Sequence, residues 1–301
     1  MANTIDQVYI ETYERNVRHL AQQSITRLRP WVDERSVQSS AHNWERLAKG
    51  LAQKKSLRGP NTDGRNADTP IDDYEWSRRI SMPDTWDTGD LTEQEDIVQM
   101  LVDPNSNLAR AQGMAMRRAI DSDIIDAATA DTALAGTGPE ALPDAQKIGA
   151  PDAAVSMSYD LVTEVTEKFM ANDIDPDEEK VFVVGPAQAR KLLQLTEATS
   201  GDYNAVRPLT SKGYIESWMG YTWIVSTLLP DSSGSGVDGD ENFIFAMTKR
   251  ALGLQMNKDV WVRIAEDPSK SFAWRVYAAA TFGAVRVEDE HLVRINCLNT
   301  V

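Results

Sequence analysis

The sequence contains one cysteine, Cys297, and three histidines, His19, His42 and His291, set far apart. A single thiol excludes an intrachain disulfide and a thiolate metal site, and scattered imidazoles argue against a zinc or di-iron centre. No apolar run approaches the roughly 20 residues that cross a bilayer. The first residues, MANTIDQVYIETYERN, lack the basic start and apolar stretch of a signal peptide. These absences predict a chain with no membrane partner that folds in a reducing cytoplasm. Catalytic signatures are equally scarce: there is no G-x-S-x-G elbow and no Walker lysine motif. Gly234, Gly236 and Gly239 match G-x-G-x-x-G only in form, because a Pro/Ser loop precedes them and a strand follows. Asp231, Asp238, Asp240 and Glu241 in the same loop lack the EF-hand spacing. Glu93, Glu95 and Asp96 are explained by the start of a helix, whose dipole favours acids. No cofactor and no metal is predicted.

Positive charge is also in short supply. The 301 residues carry a formal net charge of −15, which argues against a conventional nucleic-acid binder. The charge is uneven. Residues 1–60 hold ten Lys and Arg against six Asp and Glu, a net of +4, and the remainder a net of −19. A basic amino-terminal arm on an acidic body can touch nucleic acid or the acidic body of a neighbouring copy; it can equally be a solvated surface.

What is present is periodic and mixed. Residues 4–29 predict an amphipathic helix, with Thr4 and Gln7 as a capping box and Pro30 as its stop. Residues 36–91 predict a two-stranded arm, HNWERLA against YEWSRRISM, around a loop rich in Gly, Pro, Asn and Lys. An isolated hairpin is marginal in water, so the arm must lie against something. Trp44, Trp76 and Trp86 are its natural anchors, either on a partner or folded back onto their own domain. A short capped helix near 92–102 and a long one over 107–134 follow; the second would be a rod on the order of 40 Å. Residues 136–151 predict a linker. Beyond them, SMSYDLVTEVTEKFM predicts a helix, EEKVFVVGP a buried strand, and AQARKLLQL a helix opened by Pro186. Four further strands, NFIFAMT, VWVRIA, SFAWRVYAAATFGAVRV and HLVRINCL, close the chain, with Cys297 packed as a small apolar residue. Helices and strands alternate without βαβ regularity, so the class is α+β.

Between these lies GYIESWMGYTWIVSTLLP, residues 213–230, two aromatic and β-branched bursts with no chemistry on them. The run from VFVVGP to this hairpin resembles the major capsid proteins of tailed double-stranded DNA bacteriophages, which share the Hong Kong-type capsid fold. The residues that carry the resemblance are Gly185-Pro186, Asp202-Tyr203, Gly213, Gly220-Tyr221, Ser226 and Pro230. The ending WRVYAAATFGAVRVEDEHLVRINC, with Gly283-Ala284-x-Arg286 at a turn, resembles the family's closing strands.

The resemblance implies an N-terminal arm (1–35), an extended β-hairpin loop (36–91), a spine helix with part of the peripheral β domain (92–150), an axial α/β domain (151–255) and the closing peripheral strands (256–301). It implies a structural protein with no catalytic residues. Its copies would join as hexamers and pentamers around double-stranded DNA, assembling in the host cytoplasm with scaffolding, portal and possible decoration proteins. Contacts between subunits are expected at Trp44, Lys54, Lys55, Arg58, Trp76, Arg78, Arg79 and Trp86 on the extended loop. Lys54 and Lys55 match no complete isopeptide site, so no cross-linking is carried over. A host-encoded nanocompartment shell of the same fold stands as the alternative, and a metal-dependent hydrolase using Asp238–Glu241 as a third reading.

Overall fold

The computed structural model describes residues 23–50, 73–93, 104–149, 154–195, 215–231 and 241–299. An irregular strap at 23–28 and a 3₁₀ turn at Arg29–Trp31 lead into β1 (Asp33–Ser36). The arm follows as β2 (His42–Leu47) and β3 (Trp76–Ser81), then β4 (Asp84–Thr92). Helix α1 (Pro104–Thr129) precedes the hairpin β5 (Thr132–Ala135) and β6 (Gly138–Ala141), and short β7 (Lys147–Ile148). Next come α2 (Tyr159–Ala171), β8 (Lys180–Val184), α3 (Pro186–Gln194), β9 (Ser217–Trp218) and β10 (Tyr221–Val225). The chain closes with β11 (Glu241–Thr248), β12 (Leu252–Asp267), β13 (Ala273–Arg286) and β14 (Leu292–Leu298).

The strands make three sheets: β1-β12-β13-β4, β7-β14-β11-β8-β10-β9, and β2-β3-β5-β6. The six-stranded sheet is covered on both faces, and the period-2 alternation of its strands shows how. In β8, Val181 and Val183 join one core, while Phe182 and Val184 join the other. In β11, Phe245 and Met247 face the first core, and Ile244 and Ala246 the second. The first core is roofed by α1 through Met116, Ile120, Ile124 and Ala128, which also press on Leu254, Ala278, Ala280 and Phe282 of the long β12–β13 hairpin. The second is roofed by α2, whose Leu161, Val165 and Phe169 recur at helical spacing. Ser158 caps that helix by accepting from the Leu161 amide at 3.2 Å.

The aromatic hairpin belongs to this second core. Trp223 stacks on Phe182 with centroids 4.5 Å apart, and Tyr221 meets Phe182 edge-on at 5.7 Å. Its polar ends are satisfied: Trp223 Nε1 donates to the Trp218 carbonyl, and the Tyr221 hydroxyl pairs with Thr166 Oγ1. The two-residue turn places Met219 and Gly220 at φ 53 and 78, the primed geometry that matches strand twist. An internal hairpin needs no exposed chemistry; its rings fill the space between a sheet and a helix.

Several expectations are corrected. The amino-terminal helix does not extend through 23–28, because the Arg27 and Leu28 amides turn to the Asp121 carboxylate of α1 instead of to carbonyls four residues back; its earlier part lies outside the described residues, as does the short helix near 92–102 beyond Glu93, while its expected cap, Thr92, ends β4. Helix α1 starts at Pro104 and ends at Thr129, since Thr132–Ala135 alternates and pairs with β6. The segment 136–151 is therefore partly ordered, with β6, a 3₁₀ turn at Asp144–Gln146 and β7, where a linker was expected. Gly283–Arg286 lies at the end of β13 rather than at a turn. A Cβ on Gly283 would sit 2.3 Å from the Met82 carbonyl oxygen, so glycine permits that close approach.

Candidate assembly surface

The arm's root is a two-stranded ribbon in register His42↔Ser81 through Leu47↔Trp76. Directly opposed residues share a face, so the pleat divides its side chains. One face turns inward. Trp44 is buried against Ala133, Val285 and Val287, and its indole Nε1 donates to Ser81 Oγ at 3.1 Å. Ser81 Oγ donates to Gln255 Oε1 on β12 at 2.9 Å. Arg79 is 0% exposed.

Arg79 anchors a buried charge cluster. It gives Nη2 to Asp289 Oδ2 and Nη1 to Glu140 Oε2, both at 2.5 Å. Arg286 Nε reaches Asp289 Oδ1 at 2.6 Å, and Arg46 approaches the same carboxylate at 3.8 Å. One carboxylate is thus shared by three guanidiniums. The remaining charge is met by the end of α1. Arg286 Nη1 donates to the Ala130 carbonyl at 2.8 Å, and Arg294 Nη1 to the Thr129 carbonyl at 2.6 Å and Asp131 at 2.7 Å. The C-terminal carbonyls of a helix carry partial negative charge, so the helix end serves as a further anion. Burial, opposed by the Asp289 bond, pulls the Arg286 guanidinium below its usual range, with Arg79 and Arg294 adding to the effect. The result is a clasp fixing arm, helix end and closing strands as one piece.

The other face is open. At its far end Leu47 and Trp76 sit opposite each other, 54% and 70% exposed. Glu45 and Arg78 form the next exposed pair on that face. Trp86 on β4 stacks one side on Phe282, planes 3° apart, and is half exposed on the other.

Of the eight residues expected to touch other subunits, the structure brings Trp76 and Arg78 to one exposed ribbon face and places Trp86 apart on β4. Trp44 and Arg79 make their contacts within the chain. Lys54, Lys55 and Arg58 lie outside the described residues. Sequence reasoning missed Asp289, Arg286, Arg294 and Glu140. The signal was present: arginines inside the apolar runs GAVRV and LVRINC must find partners, because a buried unpaired charge is prohibitive. Leu47, on the exposed end of β2, was also missed.

Burial pushes the Cys297 thiol up to about 12, so it is not a nucleophile. His291 is bound by Thr248 Oγ1 at 2.7 Å and Glu288 at 3.1 Å. Among the described residues no cluster of His, Cys, Asp and Glu could hold a metal, and no helix is long and apolar enough to cross a membrane.

No curated protein matches the sequence. Solved structures do match the fold. The capsid of cyanophage P-SCSP1u superposes with TM-score 0.74 at 16% identity, covering 99% of this chain and 95% of that one. Mycobacterium phage Che8 gives 0.70 at 15%, covering 95% and 96%. The capsid of Ralstonia phage GP4 gives 0.71 at 9%, covering 98% and 97%. At such identities the likeness establishes the fold, the Hong Kong-type capsid fold. The phage capsid protein family model matches residues 5–299, so the chain belongs to that family and is a structural shell protein of a phage virion.

Proposed function

We propose that the chain self-assembles into hexamers and pentamers of an icosahedral head enclosing double-stranded DNA. The supporting observation is the two-faced ribbon. Its inner face is locked by the Arg79–Asp289 clasp, and its outer face presents Leu47 and Trp76, which no side chain among the described residues covers. A rigidly rooted apolar pair serves contact with a copy better than it serves an isolated subunit. Burying a large apolar side chain such as Leu47 is worth roughly 1.5–3 kcal/mol. Each contact is modest, and closure into rings multiplies them by avidity.

In this reading residues 1–35 form the N-terminal arm, 36–91 the extended loop, 92–150 the spine and part of the peripheral domain, 151–255 the axial domain, and 256–301 the closing strands. Trp76, Arg78 and Trp86, with Lys54, Lys55 and Arg58, contact neighbouring copies. Scaffolding, portal and possible decoration proteins are the further partners. Electron microscopy of the full chain, expressed with and without a scaffolding protein, tests the proposal. Closed shells built of capsomers are expected; a chain that stays monomeric under both conditions overturns it.

A further inference from the structure

Most buried or half-buried arginines of this acidic protein are matched to carboxylates: Arg29, Arg46, Arg79, Arg286 and Arg294 each lie within ion-pair distance of one. A second group is not. Arg110, Arg117 and Arg118 stand exposed on α1, seven and eight residues apart, which puts them on one stripe two turns long. The stripe has no acidic residue before Asp121. Arg117 Nη1 donates to the Ser24 carbonyl at 2.7 Å, drawing the strap onto this end of the helix. Arg27 in the strap donates to the Val225 carbonyl at 2.5 Å and shares a cleft with Arg190 of α3. None of these five guanidiniums forms an ion pair among the described residues, and Arg110, Arg118 and Arg190 make no hydrogen bond there either.

We infer that this arginine track, from α1 across the strap to α3, is a contact surface for the sugar-phosphate backbone of duplex DNA. Three features favour a polyanion over a protein partner. The track is long and narrow, with Arg110 and Arg117 about 10 Å apart along the helix, the form of a row of phosphates rather than of a pocket. It consists of arginine alone, whose planar fork pairs bidentately with phosphate oxygens. Along α1 no large apolar side chain is exposed among the described residues, and Met114, the residue between the arginines on this stripe, is buried. A protein interface would call for an aromatic or apolar anchor.

The net charge of −15 does not oppose local contact, since charges beyond about 8 Å are largely screened at physiological salt. Asp259, which feels the charge of Arg117, is already held by Arg29 at 3.1 Å. The contact is sequence-independent: it reads no base, and it leaves packaged DNA free to slide out.

The inference rests on the reading of the chain as a DNA-enclosing shell, and its test is separable from that reading. The full chain is titrated against a fluorescently labelled 30-base-pair duplex at several salt concentrations, beside the triple variant Arg110→Gln, Arg118→Gln, Arg190→Gln. Among the described residues those three side chains hold nothing else, so the variant is expected to fold and to form shells as the parent does. The parent binds the duplex with a steep salt dependence. The variant binds at least ten-fold more weakly, and its log–log salt slope is shallower by about 2 to 3, each lost phosphate contact removing about 0.9. Absent binding by the parent, or an unchanged slope in the variant, overturns the inference. So does a variant that keeps duplex binding and loses shells, which would make the track a contact between copies. If the parent forms no shells yet the slopes differ as expected, the reading as a shell fails and the track stands.

Discussion

The Arg79 guanidinium and the Asp289 carboxylate, 210 positions apart in sequence, meet at 2.5 Å with both side chains buried. A buried pair of this kind adds little over an apolar isostere, but breaking it is expensive, about 3–5 kcal/mol, because a charge is stranded. The two partners are not equivalent. Arg79→Met leaves Asp289 with Arg286 and Arg46. Asp289→Asn leaves Arg79 and Arg286 facing each other without the shared anion. Urea unfolding of the subunit is therefore expected to show a larger loss for Asp289→Asn than for Arg79→Met. Equal, sub-kcal losses would mean that water reaches the cluster.

Two tryptophans of the same arm are expected to respond in opposite ways. Trp44→Ala empties a packed site and removes the donor to Ser81, costing the subunit about 3–5 kcal/mol. Trp76→Ala touches an exposed position and is expected to change subunit stability by no more than about 0.5 kcal/mol. Under the assembly reading it lowers the denaturant concentration at which shells dissociate. Parallel unfolding and light-scattering curves distinguish the two residues, and coincident effects would contradict the face assignment.

The turn of the aromatic hairpin isolates a backbone effect. Gly220 has φ 78, and a Cβ placed there meets nothing within 4 Å. Gly220→Ala therefore adds no clash and costs only the left-handed conformation, about 1–2 kcal/mol. Thermal unfolding is expected to shift down by a few degrees with the fold intact. A loss as large as that of a core truncation would place the cause in packing.

These cases show which parts of the fold are legible in the sequence. The hairpin and β8 are legible because alternation and turn glycines are local, and each strand's two faces meet a core. The ribbon is legible as two strands, but not in which face is wet: Trp44 and Trp76 are equally aromatic, and only the distant Val285 and Val287 decide between them. The strap at 23–28 defeats periodicity because its amides are claimed by Asp121, which lies 93 to 94 positions away. The clasp is invisible as a set because its members come from five separate segments, though each arginine inside an apolar run announced a missing partner. The end of α1 was misjudged for the same reason: two distant arginines take the carbonyls that a longer helix would have used.

The carboxylates of α1 make the subunit's stability depend on pH. Asp123 accepts the Ala284 amide at 2.8 Å, yet burial pushes its carboxyl up from 3.8 to about 6, with Asp126 and Asp84 adding to the rise. A carboxyl raised on folding binds its proton more tightly in the native state. Its favourable contribution is complete below the unfolded value of 3.8 and is lost as pH rises through about 6. At 1.36 kcal/mol per pH unit the effect is on the order of 3 kcal/mol. Asp123→Asn keeps an oxygen for the Ala284 amide and has no charge to desolvate. Its unfolding free energy is expected to exceed the parent's at pH 7.5 and to converge with it below pH 4, the difference opening between those values. A variant less stable than the parent at pH 7.5, or a gap independent of pH, would show that Asp123 stays charged in the folded subunit without cost.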